Sequence, residues 1–220
     1  MNLLEKSKNP KKESAKMTLE DELTRFYISK GIAVGSFKCP HLTDCQEVVK
    51  NQSLYHGSEA HLGSFYGDPF RVLVVSLDRG TGSETIRERT NSIENLIKFN
   101  PHMSGTRDLL RAIFYKDNIR YEVLKHYAMT NSAKCCYMED GMKPVPKGCY
   151  SNCAKFAYEE IQELAPDLLV TQGDLALICI ANRITPLDKG VIDQLLAGIP
   201  LANKDLEKAN LAQAAIKYIN

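Results

Sequence analysis

The chain has 220 residues, 44% of them hydrophobic and 25% charged, with 28 basic side chains against 27 acidic ones for a net charge of +1. That composition excludes wholesale disorder and a bulk polycation, while leaving room for a locally basic face. No apolar run reaches the length of a membrane span, and the first residues lack the apolar core of a secretion signal. The expected setting is therefore the cytoplasm, where thiols stay reduced, with no membrane partner.

Residues 1–16 carry five lysines against two glutamates and read as a mobile basic tail ahead of a single domain over 17–220. A helix is expected over Leu19–Ile28, with Leu23, Phe26 and Tyr27 on one side. Gly35–Gly67, rich in Gly, Ser and His, reads as loop. Phe70–Leu77 (FRVLVVSL) is a continuous apolar run, as in a strand buried on both faces. It leads into Asp-Arg-Gly-Thr-Gly-Ser and a helix over Glu84–Phe99, with Ser83 as the expected N-cap. A helix over Thr106–Tyr115, a strand over Tyr127–Ser132 and a helix over Cys149–Leu164 follow, the last closed by Pro166. Leu168–Thr171 is a third buried strand. A helix over Asp174–Asn182 and an alanine-rich helix over Asp205–Tyr218 complete the pattern.

Strands alternating with helices predict an α/β fold, a three-layer sandwich with a central, mostly parallel sheet flanked by helices. In such a sheet the ligand site lies beyond the carboxyl ends of the strands. The segments that matter are then Asp78–Ser83, Asn131–Cys136 and Gln172–Asp174.

The unusual count is seven cysteines with no tryptophan. Cys179 sits in an apolar run and reads as core. Cys39, Cys45, Cys135, Cys136, Cys149 and Cys153 fall in two short polar segments, and clustered thiols in a reducing compartment suggest a metal or an iron–sulfur cluster, with free thiols as the alternative. The spacings, C-x5-C and C-C-x12-C-x3-C, contain no tight CxxC pair of the zinc-ribbon kind.

Thr130-Asn131-Ser132-Ala133-Lys134-Cys135, then Cys153 and Pro166, then Leu169-Val170-Thr171-Gln172-Gly173-Asp174-Leu175-Ala176 resemble the iron–sulfur branch of the uracil-DNA glycosylase superfamily. That branch has a strand ending in T-N-x-x-K-C, a second cysteine on a following helix, and a strand reading P-x-x-[LIV]-[LIV]-x-x-G-x-x-A. The resemblance spans roughly Phe37–Ala181, and it implies DNA as partner, excision of uracil or a related base by hydrolysis of its N-glycosidic bond, and a 4Fe–4S cluster. The implied cluster ligands are Cys39, Cys45, Cys135 and Cys153, with Cys136 and Cys149 as competitors. The cluster would staple loops to the sheet and take no part in bond cleavage.

The chain departs from the family at three places. The family's G-E-x-P-G loop is Ser76-Leu77-Asp78-Arg79-Gly80 here, so Leu77 holds the place of the carboxylate and Asp78 is its neighbour. Its P-F-x-G segment is best matched by Pro101-His102-Met103-Ser104-Gly105. Its late His-Pro-Ser segment is missing, since the last histidine is His126, as would follow from divergence or from a truncated C-terminus.

Each implied role has a physical basis and a plainer alternative. Asn131, at a strand's carboxyl end, can offer an amide donor and acceptor to a pyrimidine and so distinguish uracil from cytosine; a strand-end Asn also caps turns. Asp78 can accept a proton from attacking water or stabilise a cationic sugar; it can equally form an Asx turn or pair with Arg79. His102 can stack on a base or donate to it, or simply sit in a turn entering a helix. Gly80 lies in the base-binding loop, and the turn Gly80–Ser83 can hold a phosphate on backbone N–H groups without the lysine of a nucleotide-triphosphate loop. Arg107, Arg111, Lys116, Arg120, Lys125 and Lys134 outnumber three acidic residues over 100–134, either as a phosphate-binding face or as an ordinary solvated surface. The rival function is a non-catalytic binder of nucleic acid or of a partner on the same fold, and a third is an unrelated α/β metal-binding domain.

Overall fold

The computed structural model describes residues 17–49, 55–77, 83–97, 101–114, 122–137, 145, 147–173, 176 and 217–218. Its elements are α1 (Leu19–Lys30), α2 (Leu42–Val49), β1 (Tyr55–Gly57), β2 (His61–Leu62), β3 (Val72–Ser76), α3 (Ile86–Glu94), α4 (Pro101–Ile113), a 3-10 turn at Val123–Lys125, β4 (Tyr127–Asn131), β5 (Cys135–Tyr137), α5 (Lys147–Leu164), β6 (Leu168–Thr171) and β7 (Lys217–Tyr218). Helices and strands mix along the chain, which makes this an α/β protein.

The main sheet has strand order β2-β4-β3-β6-β7. Its centre is parallel: β3 pairs with β4 (Val72 opposite Tyr127) and with β6 (Val72 opposite Leu168). Its edges are antiparallel, β2 against β4 and β7 against β6. The sheet is therefore mixed, with its parallel character confined to the three apolar strands visible in the sequence. A second, two-stranded sheet pairs β1 with β5.

Every residue of β3 is buried, because both of its faces are covered. Leu73 and Val75, with Ala128 and Leu169, pack against Leu23, Phe26 and Tyr27 of α1 and Phe156, Ile161 and Leu164 of α5. Val72 and Val74, with Tyr127, Met129 and Val170, pack against Ile93 of α3 and Met103 and Leu110 of α4. The alternation of strand side chains splits one apolar run between two cores.

Several expectations are corrected. Gly35–Gly67 is not a continuous loop: it contains α2, β1 and β2. These are short elements held by tertiary pairing, which periodicity over a few residues cannot signal. Helix α3 begins at Ile86, not Glu84, and Thr85 is its cap in place of Ser83. The Thr85 hydroxyl accepts from Glu88 N, and the Glu88 carboxylate accepts from Thr85 N, closing a capping box. Helix α4 begins at Pro101, five residues before Thr106, with proline at the first helical position where its missing N–H costs nothing. Strand β4 ends at Asn131, and the segment after it forms β5. Lys217–Tyr218 are in a strand where a helix was expected. The tail over 1–16, Asp78, Gly80, Cys179, residue 174–175 and the remaining parts of the two C-terminal helices lie outside the described residues.

Glycine is required where chains approach most closely. A Cβ on Gly57 would lie 2.5 Å from the Ile32 oxygen, so only glycine lets β1 run beside the chain leaving α1 while it pairs with Cys135. Gly31 closes α1 in the left-handed region, at φ 68°.

Candidate functional site

Strands β3, β4 and β6 end side by side, at Ser76, Asn131 and Thr171. Backbone bonds extend the alignment past the strands: Ser132 N donates to Ser76 O at 2.8 Å, Ala133 N to Leu77 O at 3.0 Å, and Gln172 N to Val75 O at 2.8 Å. Beyond these ends lies a cleft of about 240 Å³, lined by Ser76, Asn131, Glu84, Arg89, His102 and Met103, among others. The expected location beyond the carboxyl ends of the strands is thus where a cleft occurs.

Asn131 is buried, and its amide orientation is fixed by a neighbour that sequence reading did not single out. Arg89, on α3 and 3% exposed, donates through Nη2 to Asn131 Oδ1 at 2.5 Å and through Nη1 to the main-chain oxygen of Glu59. The guanidinium holds the amide oxygen, which leaves Nδ2 as the donor of a residue that lines the cleft. Glu59, itself buried, accepts from Val34 N and from Ile86 N, both at 2.9 Å, which anchors the start of α3 and hence Arg89. Burial holds the Glu59 carboxyl above its usual range.

His102, in the first turn of α4, is exposed at the cleft. Its Nε2 lies 3.3 Å from Ser76 Oγ. Ser76 Oγ donates to Gln172 Oε1 at 2.9 Å, Gln172 Nε2 donates to Thr106 Oγ1 at 2.7 Å, and Thr106 Oγ1 donates to the His102 carbonyl at 3.1 Å. Partial desolvation, and then the Arg89 charge, lower the His102 pKa and favour the neutral ring. The roles of Ser76, Arg89, Thr106 and Gln172 escaped sequence reading because they arise from partners far along the chain; Ser76 and Gln172 lay in segments already flagged, at the ends of β3 and β6.

Among the described residues of the basic segment, each of the four cations has a carboxylate partner. Lys134 is 1% exposed and paired with Glu160, Arg107 and Arg111 contact Asp108 at 2.9 and 3.6 Å, and Lys125 contacts Glu122 at 2.8 Å. Lys116 and Arg120 lie outside the described residues. Lys134 and Glu160 sit at the centre of a buried network. Glu160 accepts from Lys134 Nζ, from Tyr27 Oη, and from Thr130 Oγ1 at 2.5 Å, while Lys134 Nζ also donates to Thr130 Oγ1 at 2.6 Å.

The other side of the β4–β5 segment carries the thiols. Cys39, Cys45, Cys135, Cys136, Cys149 and Cys153 are thiols outside any disulfide, and all but Cys39 are buried. Cys135 shares a proton with Cys153, lowering the Cys153 pKa and raising that of Cys135; Cys39 and Cys45 lie close enough for their charges to act on the same pair. Two N–H donors point at sulfur: Lys134 N lies 3.4 Å from Cys153 Sγ, and Asn152 Nδ2 lies 3.3 Å from Cys45 Sγ. Contact with the Cys149 thiol, foremost, lowers the Cys45 pKa to about 6, whereas burial raises that of Cys39 to about 11.

Strand alternation separates two of the candidates. Cys135 and Cys136 are successive residues of β5, opposite Gly57 and His56, and therefore point to opposite faces. Cys149 and Cys153 are one helical turn apart on α5 and share a face. Cys135 accordingly joins Cys45 and Cys149 in an apolar cluster with Ala133, Val145 and Tyr150. Among the described residues, no three His, Cys, Asp or Glu side chains converge on a point as a single metal ion demands. A cubane cluster asks for something different, since each thiolate takes its own iron and the four sulfurs surround a volume. Buried thiols with N–H donors at sulfur and an apolar surround suit that group.

These features define an α/β domain with a cleft at the carboxyl ends of two parallel strands, β3 and β4, and a thiol cluster. A scan against protein-family models, a search of curated proteins and a search of solved structures each found no match to this chain. No helix among the described residues is long and apolar enough to cross a membrane.

Proposed function

We propose that this chain is a DNA glycosylase-like protein of the uracil-DNA glycosylase type, built as a three-layer sandwich, that takes a flipped uracil or related base into the cleft and hydrolyses its N-glycosidic bond. The observation that carries the reading is the placement of the Thr130–Cys135 motif: Asn131 lines the cleft, while Cys135, four residues on, joins the thiol cluster. A resemblance first seen as spacing thus corresponds to two separate chemical environments. Asn131 Nδ2 meets a carbonyl of the base, and His102, at the mouth of the cleft, contacts the ring. Asp78, two residues after β3 in the sequence, is the proposed carboxylate that activates water or stabilises the developing sugar cation, and Gly80 is the proposed base-binding glycine. Cys39, Cys45, Cys135 and Cys153 would hold a 4Fe–4S cluster, which supplies structural cross-linking of the loops. The proposed partner is DNA and the proposed location cytoplasmic.

A second reading, a non-catalytic nucleic-acid- or partner-binding protein of the same fold, draws on Leu77 in the position of the family carboxylate. An oligonucleotide assay separates the two. Anaerobically purified protein should convert a single uracil in labelled DNA into an alkali-labile abasic site, and Asp78→Asn and Asn131→Ala should each slow this by about 100-fold or more. Binding of the uracil strand without cleavage would select the second reading. Neither binding nor cleavage would refute both.

A further inference from the structure

Ser76, Gln172 and Thr106 close a ring of hydrogen bonds with His102 whose direction is set by one fixed point. The Thr106 hydroxyl lies 3.1 Å from the main-chain oxygen of His102, and a carbonyl can only accept. With its proton committed there, Thr106 Oγ1 must accept the 2.7 Å bond from Gln172, which turns Gln172 Nε2 toward it. Gln172 Oε1 then faces Ser76 and takes that hydroxyl's single proton at 2.9 Å. Ser76 has no second proton to give, so in its 3.3 Å contact with His102 Nε2 the ring is the donor. The ring therefore selects the Nε2–H tautomer, and Nδ1 carries the free lone pair. On the same cleft Arg89 holds Asn131 Oδ1 and leaves Nδ2 as the donor. His102 and Asn131 both line the cleft, carried by different elements, α4 and β4, the first with an acceptor at Nδ1 and the second with a donor at Nδ2.

We propose that His102 Nδ1 and Asn131 Nδ2 together read the imide edge of an oxo-pyrimidine, with Ser76, Gln172 and Arg89 as the positioning residues that set their polarity. Nδ1 accepts the ring N–H, and Nδ2 donates to the adjacent carbonyl. An amino-pyrimidine opposes both, offering a lone pair to Nδ1 and an N–H to Nδ2, so it leaves two desolvated mismatches. The proposal rests on the cleft being a base pocket. It differs from a single amide reading both groups in that His102 Nδ1, and not the Asn131 oxygen to which Arg89 donates, takes the ring N–H.

The test is a long-range proton–nitrogen correlation spectrum of the full-length, nitrogen-15-labelled protein near pH ~8, above the ordinary imidazole range. The His102 ring is assigned by its disappearance in His102→Gln. Wild type should show Nε2–H alone. Gln172→Leu frees the Ser76 proton to point at Nε2 and should flip the ring to Nδ1–H; Ser76→Ala, nearly isosteric, should give a mixture. Free uracil, titrated in the same spectra, should bind about tenfold more weakly to Gln172→Leu than to wild type, with its preference over cytosine reduced. Nδ1–H in wild type, or a tautomer unmoved in both variants, would overturn the inference and leave the base-pocket reading standing. Nε2–H in wild type with no response of His102 or Asn131 to uracil would overturn the ligand assignment and the base-pocket reading with it.

Discussion

Replacing Lys134 by methionine tests the buried network beneath the sheet. Lys134 and Glu160 are 1% and 0% exposed, and Glu160 receives Lys134, Tyr27 and Thr130 together. Removing the cation leaves a carboxylate facing two hydroxyls and no countercharge, and breaking such a pair from one side costs about 3–5 kcal/mol. That is a large share of the roughly 5–15 kcal/mol that holds a domain folded. With an unfolding slope of about 2 kcal/mol/M, the urea midpoint should fall by about 2 M. In Lys134→Met/Glu160→Met the charge problem disappears, and what remains is the loss of acceptors for Tyr27 and Thr130, about 1–3 kcal/mol. Tyr27 Oη keeps its bond from Ala60 N at 3.0 Å in that variant. The double variant should therefore be more stable than Lys134→Met alone. A cost below about 1 kcal/mol for the single change would refute the reasoning, as would additive losses in the double.

Three further outcomes follow from the same physical picture. Thr85→Ala removes the capping-box acceptor of α3 and should cost about 1 kcal/mol in chemical denaturation; no loss would mean that Glu59 alone anchors the helix start. His61, fully buried, has its pKa lowered from 6.5 to about 3, chiefly by desolvation. The unfolded chain binds this proton where the native chain does not, so stability should fall as pH drops from 6.5 toward 3, by up to about 1.4 kcal/mol per pH unit, and His61→Phe should remove that component of the slope. Parallel curves for the two proteins would contradict it. In anaerobically purified protein, Cys153→Ser should lower iron content and the absorbance near ~400 nm, while Cys136→Ser, on the opposite face of β5, should preserve both; equal losses would exclude the proposed ligand register.

Strands β3 and β6 were legible because each is a short, largely apolar run, as in strands buried on both faces, and β4 was legible from the apolar start of Tyr127–Asn131. A cleft lies at the ends of β3 and β4, lined by Ser76 and Asn131, where the topology of a parallel sheet favours one. The short elements were not legible: β1 and β2, of three and two residues, carry no periodicity, α2 is only two turns long, and the strands' pairing partners lie far away in sequence. Arg89 shows the limit most clearly. On an otherwise polar stretch of α3 it reads as a surface residue, yet its guanidinium is buried because Glu59, thirty residues earlier, brings a carbonyl to it. Lys134 misled in the opposite direction. Counted among basic residues it suggested a phosphate contact, but its charge is consumed internally by Glu160, which no local window reveals.

Thr130 through Cys136 are seven consecutive buried residues, and each serves a different neighbour: Thr130 and Lys134 the ion network, Asn131 the cleft, Cys135 the thiol cluster. This stretch behaves as a ruler with no spare length. A single inserted residue between Asn131 and Cys135 could be absorbed only by shifting one end, and each end is already fitted to its own surroundings. Point substitutions within it trade one contact at a time, but changes of length act on all three environments at once. The distance along the chain, as much as the identity of its residues, is thus a functional quantity in this protein.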